Sequence, residues 1–480
     1  MMTACVILAA GLGKRMNSDL PKVLHKVCGI PMLQSVIDTA LKLKNEKIVV
    51  VTGEHDDLIK KTLASPYISY ALQKEPKGTG HALMCAKQDL KGFQGILIVL
   101  NGDTPLVRAD TIKKFLKLHL KNKSAVSVLS FQAENPDDYG RIIRDSSGQV
   151  LSIVEHKDAD AMQKKMHEVN SGVYAINYDL LPLLDKIKIN RKKGEYYLTD
   201  IVAAALGNGL KTSAYCIGAE DEFMGVNTRE ELYRASRLMK KRLIEKWVGK
   251  GVIFLDMDSV FIHAGVTIGK DTTVYPNVYL EGRTKIGRGT TIFPNVRILD
   301  SEIGNNVIIK DSTVIEGSTI KNRASVGPFA RIRPGSEIGI DARIGNFVEL
   351  KKTVIGTGAK ASHLSYLGDA RIGRDVNIGA GTITCNYDGN RKSMTVIEED
   401  VFIGSDSQLV APVTIGRGAY IGAGSTITKD VPPFALAVSR VEQRTINGWV
   451  KKRQAMVRAE TRDKGKGQNE KNGKQKENQK

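Results

Sequence analysis

Two groups of polar residues have the side-chain types of reaction sites, one in each half of the chain. In the second half, His363 lies among cationic, phenolic and amide residues, namely Lys351, Tyr366, Asn386, Tyr387 and Lys392. Imidazole accepts protons near neutral pH, and lysine ammonium groups bind phosphate. A lone histidine more often has a structural role, but this set of neighbours favours a general base beside a phosphate-binding site.

The group in the first half begins with the glycine-containing loop Leu8-Ala9-Ala10-Gly11-Leu12-Gly13. Its glycines allow backbone N–H groups to approach a phosphate or the edge of a base, and Arg15 and Lys22 supply positive charge. The loop is not a P-loop. It also differs from the dinucleotide-binding fingerprint, because Met16 stands at the third glycine position.

The elements that must position this loop alternate between apolar strands and helices. Strands are predicted at 5–8, 48–51, 96–100 and 125–131, and helices at 32–43, 81–87 and 109–121. This alternation predicts an α/β domain with a Rossmann-like, mostly parallel sheet covered on both faces. Ligands of such sheets bind beyond the carboxyl ends of the strands, where Asp103 lies. An acidic residue there often only caps a helix, but Thr111 is available for that role.

An apolar residue recurs at every sixth position from about Ile262 to Ile427. The series starts Ile262, Ile268, Val274, Leu280, Ile286, Ile292 and Ile298, and it continues with single-residue slips to Leu350 before resuming at Ile397. A period of six is typical of a β-solenoid, in which each unit forms one side of a coil. We interpret the polar stretches 348–369 and 377–392 as breaks in the repeat, and they contain the residues around His363.

These patterns divide the chain into an α/β domain (1–227), a linker helix (228–248), an all-β domain (249–450) and a basic tail (451–480). From residue 450 onward there are eleven Lys and Arg and four Asp and Glu. This surplus of positive charge is a large share of the net charge of +19. Its polar composition predicts disorder. The five scattered cysteines and the lack of a long apolar stretch predict a cytoplasmic protein without a membrane span.

The first-half motifs resemble a known family. LAAGLGKRM (8–16), followed by SDLPKVL (18–24), resembles the signature of sugar nucleotidyltransferases, although Lys14 and Asn101 replace the Thr and Tyr that are frequent there. The resemblance implies nucleotide and sugar contacts and a Mg²⁺ site formed by Asp103 and Asn227. The implied nucleotide- and sugar-binding residues are Leu8, Ala9, Ala10, Gly11, Arg15, Lys22, Gln73, Gly78, Thr79, Asn101, Gly102, Asp103, Gly140, Glu155, Asn170 and Asn227.

The second-half motifs extend this resemblance to residues 3–450. ARIRPGSEIG, NFVELKK, HLSYLGDA, NIGAGTITCNYDG and FIGSDSQLVAPVTIG are similar to those of bifunctional N-acetylglucosamine-1-phosphate uridyltransferases/glucosamine-1-phosphate acetyltransferases, whose second domain is a left-handed parallel β-helix of hexapeptide repeats. The resemblance implies that His363 is the general base. It implies sugar-phosphate contacts from Arg333, Lys351, Tyr366, Asn377 and Lys392. It implies acetyl-CoA contacts from Ala380, Asn386, Tyr387, Ser405, Ala423 and Arg440.

The implied reactions are acetylation of glucosamine 1-phosphate by acetyl-CoA and uridylyl transfer from UTP to N-acetylglucosamine 1-phosphate. A homotrimer and a product used in bacterial cell-envelope synthesis are also implied. Two alternatives stay open from the residues alone. The solenoid could serve only assembly in a single-activity nucleotidyltransferase, although the residues around His363 argue against this. The basic tail could bind nucleic acid, although no nucleic-acid-binding motif accompanies it.

Overall fold

The N-terminal part is built on one sheet of mostly parallel strands. The computed structural model describes residues 2–190 and 194–462. The strands of this part are β1 Thr3–Leu8, β2 Lys26–Val27, β3 Ile30–Pro31, β4 Lys47–Thr52, β5 Ser69–Leu72, β6 Ile96–Asn101, β7 Val126–Gln132, β8 Arg141–Arg144, β9 Val150–Val154, β10 Glu168–Asn177 and β11 Thr212–Cys216. The helices are α1 Met32–Lys42, α2 Asp56–Thr62, α3 Gly78–Cys85, α4 Ala109–Lys121, α5 Asp200–Gly207, α6 Glu220–Phe223 and α7 Arg229–Val248. Short 3-10 turns lie at Lys14–Met16, Lys22–Leu24, Gln163–Lys165 and Tyr178–Lys186.

The main sheet has the order β11-β7-β10-β6-β1-β4-β5, and β10 alone runs antiparallel to its neighbours along this path. Strand β1 pairs in parallel with both β4 and β6. Its alternate residues enter two different cores, with Ala4 and Val6 on one face and Cys5 and Ile7 on the other. Both faces of the sheet are therefore covered, and the predicted α/β fold is confirmed.

The C-terminal part winds through three parallel sheets, one on each side of a solenoid. Sheet A contains Ile253–Phe254, Thr273–Val274, Thr291–Ile292, Ile308–Ile309, Ser325–Val326, Arg343–Asn346, Lys360–His363, Asn377–Ile378, Phe402–Ile403, Tyr420–Ile421 and Leu436–Ala437. Sheet B contains Phe261–Ile262, Tyr279–Glu281, Arg297–Leu299, Val314–Glu316, Arg331–Ile332, Glu349–Lys351, Tyr366–Gly368, Ile383–Cys385, Gln408–Val410 and Thr426–Ile427. Sheet C contains Thr267–Ile268, Lys285–Ile286, Glu302–Ile303, Thr319–Ile320, Glu337–Ile338, Val354–Ile355, Ala370–Ile372, Thr395–Ile397 and Val413–Ile415.

The residues of the six-residue series point into the coil and are buried from Ile262 to Ile427. They stack in register, as Ile332, Leu350 and Leu367 do in three successive coils of sheet B. Each coil alone could not enclose its apolar side chains, and stacking supplies the continuous core. The predicted all-β solenoid of hexapeptide repeats is confirmed.

The prediction of a break at 348–369 is wrong. The coil continues through this stretch, with Ile355, Ala361, Leu367 and Ile372 buried in consecutive inward positions. One inward position holds Ala361, a residue that does not stand out in the apolar series. The step from Leu350 to Ile355 is five residues instead of six, so the series changes phase there. The segment 386–394 does leave the coil, between the strands that end at Cys385 and begin at Thr395.

Helix α7 connects the two parts. Thr228 and Glu231 form a capping box at its start, in which each side chain accepts a hydrogen bond from the other residue's backbone N–H. Its last turns, with Ile244 and Trp247, join the solenoid core. The backbone N–H of Ala264 also donates to the Cys28 carbonyl (3.0 Å), so the β2–β3 hairpin contacts the first coil.

Residues 449–462 form a helix, which corrects the prediction of disorder from residue 451 onward. This stretch lacks Gly and Pro and is rich in Lys, Arg, Gln, Ala and Met, which favour helix. The rest of the predicted disordered tail lies outside the described residues. Within the parts of the chain that the structure describes, no helix combines the length and apolar character that a membrane span requires.

Candidate functional sites

A cavity of about 500 Å³ opens at the carboxyl ends of β1 and β6, beside the start of α3. Many of the predicted nucleotide-site residues line it: Leu8, Ala9, Ala10, Gly11, Lys22, Gln73, Gly78, Thr79, Asn101 and Asp103. Glu195 lines it as well, and the sequence analysis did not identify this residue. The cavity therefore brings together residues that lie up to 187 positions apart, from Leu8 to Glu195, at the sheet edge where ligands of α/β folds bind.

The loop after β1 packs directly on Lys22. Gly13 has a left-handed backbone conformation (φ +63°), and a Cβ atom there would lie 2.6 Å from the Cβ of Lys22. Glycine is required at this position by both its conformation and this close approach. The Lys22 ammonium is thereby held at the floor of the cavity, with its side chain only 10% exposed.

Two oxygen atoms converge on the Lys22 ammonium. Nζ donates to Asp103 Oδ2 at 2.5 Å and to Asn227 Oδ1 at 2.9 Å. Asn227 is fixed just before α7, where its backbone N–H donates to Glu231 Oε2 at 2.6 Å. Asp103 thus offers a carboxylate oxygen and Asn227 an amide oxygen close to the same cationic group. Hard divalent cations prefer oxygen ligands, so these residues fit the implied Mg²⁺.

One wall of the cavity is formed by Gln73 and the start of α3, which carry residues predicted to bind nucleotide or sugar. Gln73 is buried, and its Nε2 donates to the Gly78 carbonyl at 3.0 Å. Thr79 Oγ1 accepts from the backbone N–H of Leu198 at 3.0 Å. Gly78 has φ +91°, and a Cβ atom there would lie 2.7 Å from the Tyr196 carbonyl oxygen. The segment around Tyr196 thus closes against this wall, a contact between distant segments that no local pattern indicates.

Gly140, Glu155 and Asn170 lie together next to the cavity. The backbone N–H of Asn170 donates to the Gly140 carbonyl at 2.8 Å. A Cβ atom on Gly140 would lie 3.6 Å from the Asn170 Cβ and 3.8 Å from Glu155 Oε1. Glu155 Oε1 accepts from Thr199 Oγ1 at 3.2 Å. The structure therefore groups three residues predicted to contact sugar.

Gly102 and Asn101 make close contacts beside the cavity, whereas Arg15 does not. Gly102 donates its N–H to the Leu8 carbonyl at 2.8 Å, beside Ala9. Asn101 packs closely on Gly172. A Cβ atom at position 172 would lie 2.1 Å from Asn101 Nδ2, which explains the glycine at that position. Arg15 is not among the residues that line the cavity; it is exposed and lies 3.7 Å from Asp138 in a surface ion pair.

In the solenoid, His363 belongs to a column of equivalent corner positions. The inward residues Ala361, Ile378, Ile403 and Ile421 pair in register in sheet A. Two residues after each of them come His363, Ala380, Ser405 and Ala423. The Arg440 guanidinium continues this column by donating to the Ala423 carbonyl at 2.9 Å. The fold thus aligns the predicted base with four residues predicted to contact acetyl-CoA.

Asn346 orients His363 from the preceding coil. The two residues are register partners, and His363 Nδ1 lies 2.7 Å from Asn346 Oδ1. Because an amide oxygen only accepts hydrogen bonds, Nδ1 must carry the proton in this arrangement, which leaves the Nε2 lone pair of the neutral ring as the basic site. Asn346 was not predicted as a site residue, although it precedes His363 by 17 residues, which is one coil.

A cationic column lies on neighbouring sheet B. Arg333 and Lys351 follow the same register, because the preceding residues Ile332 and Leu350 are partners. Arg333 Nη1 donates to Glu349 Oε1 at 2.9 Å. In the next coil, the Tyr366 hydroxyl lies over Gly368, the register partner of Lys351. Tyr366 follows His363 by three residues, so this column and the base flank the same corner of the coil.

Lys392 comes from the segment that leaves the coil. An isolated antiparallel bridge between Tyr387 and Lys392 folds this segment into a hairpin. The neighbouring Lys351 ammonium lowers the pKa of Lys392 below the usual lysine value, first through a side-chain hydrogen bond and then through charge repulsion. Two facing ammonium groups favour an anion between them, as expected for a phosphate site.

The last predicted residues stand at the base of the hairpin and on sheet A. Asn386 is buried, and its amide donates to Asp369 Oδ2. The Tyr387 hydroxyl donates to the Gly389 carbonyl within the hairpin. Asn377 lies on sheet A as the register partner of Lys360 and Phe402, so the structure does not place it on the Arg333–Lys351 column of sheet B.

Comparisons with known proteins agree with this division into two sites. Residues 4–242 match the family described as Nucleotidyl transferase, and residues 394–429 match Bacterial transferase hexapeptide (six repeats). The "Bifunctional protein GlmU" of Thermodesulfovibrio yellowstonii is 49% identical over 93% of this chain and 99% of its own length. Those of Halalkalibacterium halodurans and Clostridioides difficile are 46% and 45% identical over 93% of this chain and 98% and 97% of theirs. The chain belongs to the GlmU family.

Membership of the GlmU family confirms the predicted bifunctional enzyme. The chain combines a uridylyltransferase in its nucleotidyltransferase domain with a glucosamine-1-phosphate acetyltransferase in its hexapeptide domain. Its substrates are small molecules, and its nucleotide-sugar chemistry is of the type that is typically metal-dependent. The alternative in which the solenoid serves assembly alone is therefore wrong.

Proposed function

We propose that the cavity at β1 and β6 binds UTP and that Gly140, Glu155 and Asn170 hold N-acetylglucosamine 1-phosphate beside it. The observation that carries this assignment is that Asp103 and Asn227 converge on the ammonium of Lys22, which lines the cavity. A phosphate oxygen of the sugar attacks the α-phosphorus of UTP, a new P–O bond forms, and pyrophosphate leaves. No nucleophilic side chain is needed, so the chain contributes positioning and charge.

The Lys22 ammonium has the central role in this step. It is expected to exchange its contacts with Asp103 and Asn227 for the substrate phosphates, and these two oxygens would hold Mg²⁺. When bound, this ion neutralises phosphate charge and so assists the approach of two anionic substrates. Arg15, an exposed residue that follows the loop after β1, supplies further positive charge to the triphosphate.

In the solenoid, we propose that glucosamine 1-phosphate lies along the corner between His363 and the Arg333–Lys351 column. Its phosphate contacts Arg333, Lys351 and Lys392, and its amine faces His363. Nε2 of His363 accepts a proton from the amine as the nitrogen attacks the thioester carbonyl of acetyl-CoA. The C–N bond forms, and the C–S bond then breaks to release coenzyme A. Tyr366, on the same sheet as this column, completes the sugar contacts.

Acetyl-CoA is proposed to lie along the column that continues from His363. Ala380, Ser405, Ala423 and Arg440 are stacked at the same corner in successive coils. Asn386 and Tyr387 bring the hairpin toward its reactive end. Because the column is parallel to the solenoid axis, an extended cofactor can follow it while its thioester points at the base.

We propose a homotrimer in which copies pack against this corner. Phe329, Phe347 and Leu364 occupy left-handed corner positions of three successive coils and are 53%, 55% and 60% exposed. Bulky apolar residues are unusual both in this conformation and at this exposure, which supports coverage by another copy. The five free cysteines fit a reducing cytoplasm, where the product would serve synthesis of peptidoglycan and lipopolysaccharide precursors.

One assay with two readouts tests the site assignments. Glucosamine 1-phosphate, acetyl-CoA, UTP and Mg²⁺ are supplied, and free thiol and pyrophosphate are followed separately. His363→Ala is expected to lose about 10²–10⁴-fold in thiol release, the usual contribution of a general base, and to keep pyrophosphate release from added N-acetylglucosamine 1-phosphate. Asp103→Ala is expected to show the opposite pattern. Equal loss of both activities in either variant would contradict the assignment.

A further inference from the structure

Arg141 is a fully buried arginine at the first position of β8, directly after Gly140. Its Nη1 donates to the Tyr139 carbonyl, and its Nη2 donates to the Lys164 carbonyl and to His156 Nδ1, each at 3.2 Å. Among the residues that the structure describes, its Nε has no hydrogen-bond partner. Burial lowers the pKa of the guanidinium, but arginine remains charged in proteins.

Within the described part of the chain, the hydrogen bonds of Arg141 go to two carbonyl groups and one imidazole, and none goes to a carboxylate. The charge of Asp137 opposes the effect of burial and raises the pKa of Arg141, and Asp137 Oδ1 lies 3.9 Å from His156 Nδ1. A buried cation costs considerable desolvation free energy, and an apolar side chain of similar volume usually serves packing as well or better. Packing alone therefore does not explain an arginine at this position.

The three partners belong to three different segments. Tyr139 precedes Gly140, His156 follows Glu155, and Lys164 lies in the 3-10 turn Gln163–Lys165. The planar guanidinium thus joins the segment before β8, which carries Gly140, to the loop after β9, which carries Glu155. The N–H groups of the guanidinium point in fixed directions, so they orient both segments at once, which a lysine ammonium does not do.

We propose that Arg141 is a positioning residue for the sugar 1-phosphate, which holds Gly140 and Glu155 at the separation that the sugar requires. This inference rests on the proposed sugar-binding role of Gly140, Glu155 and Asn170. Arg141 itself is completely buried and does not touch the substrate. Its loss therefore changes recognition of the sugar 1-phosphate and leaves recognition of UTP intact, because the UTP cavity is built from other segments.

Steady-state kinetics of uridylyl transfer tests this inference, with each substrate varied in turn. Arg141→Met is expected to raise KM for N-acetylglucosamine 1-phosphate about 10²-fold, the effect of a small misplacement of binding groups, and to leave KM for UTP unchanged. Arg141→Lys keeps the charge and is expected to fall between this variant and wild type. Acetyl transfer in the same protein reports that the chain is folded.

Arg144→Met is the matched control. Arg144 lies in the same strand but pairs with Glu168 at 2.6 Å, away from the three joined segments. This variant should leave KM for the sugar phosphate unchanged even if stability falls. An equal rise in Arg141→Met and Arg144→Met would overturn the inference, as would a KM for UTP that rises in step with that for the sugar phosphate.

His156 provides a second test if Arg141→Met fails to fold. His156→Leu removes the acceptor of the Nη2 hydrogen bond, whereas His156→Asn keeps an acceptor near the same position. The leucine variant should raise KM for the sugar phosphate and the asparagine variant should restore it; equal values would overturn the inference. Glu155→Gln separates the two levels of the proposal. If it leaves this KM unchanged, the proposed sugar site is itself wrong. If it raises KM and Arg141→Met does not, only the role of Arg141 is wrong.

Discussion

Removing the Asn346 side chain tests how the acetylation base is oriented. Asn346 Oδ1 accepts from His363 Nδ1 at 2.7 Å, and this contact leaves Nε2 as the basic atom. In Asn346→Ala the ring keeps its place on sheet A but loses the interaction that fixes its tautomer and rotation. A neutral hydrogen bond of this kind contributes about 0.5–1.5 kcal/mol. At about 1.4 kcal/mol per factor of ten, kcat for acetyl transfer should fall roughly 2- to 13-fold.

The assay is thiol release at saturating acetyl-CoA and glucosamine 1-phosphate, with pyrophosphate release as the internal control. Asn346→Asp keeps an oxygen acceptor at the same position and should retain most of the activity. In the double variant with His363→Ala, removal of Asn346 should cause no further loss, because the two residues act as a unit. A fully active Asn346→Ala protein, or an additive loss in the double variant, would refute the proposed orientation.

Three further outcomes are expected. Gly13→Ala places a Cβ 2.6 Å from the Cβ of Lys22, and its left-handed backbone conformation costs about 1–2 kcal/mol. Uridylyl transfer should therefore fall strongly while acetyl transfer persists. Normal pyrophosphate release would contradict the packing of this loop. Because Lys351 lowers the pKa of Lys392, Lys392 loses its charge at a lower pH than an ordinary lysine. As pH rises, kcat/KM for glucosamine 1-phosphate should therefore start to fall at a lower pH than the usual lysine pKa would give. Lys351→Met should move this fall to higher pH. Truncation after Arg453 should preserve both activities in the two-readout assay, and loss of either would assign the C-terminal helix a catalytic role.

The repeat architecture was predictable because its signal is periodic and local. Ile262 and its successors recur at a fixed spacing, and every one of them points into the coil. The misjudged stretch at 348–369 shows the limit of that signal. Ala361 is too small and too common to mark an inward position from sequence, although the register of the strands places it beside Ile344 and Ile378.

The candidate sites were predictable where a motif is continuous, as in the loop after β1. Residues contributed by distant segments were missed, because no local pattern connects them. Asn346 reaches His363 only through the stacking of coils, and Glu195 reaches the nucleotide cavity only because the segment around Tyr196 folds back on α3. Arg141 has no motif of its own, and its role is apparent only from its complete burial and its three partners.

Mixing two inactivated proteins tests most directly whether the chain holds two independent reaction sites. Asp103→Ala and His363→Ala are each supplied with glucosamine 1-phosphate, acetyl-CoA, UTP and Mg²⁺, alone and together, and formation of UDP-N-acetylglucosamine is measured. Each variant alone should form almost none, and the mixture should form it readily, because acetylated sugar phosphate from one protein diffuses to the intact uridylyltransferase site of the other. A mixture as inactive as its components would contradict the account.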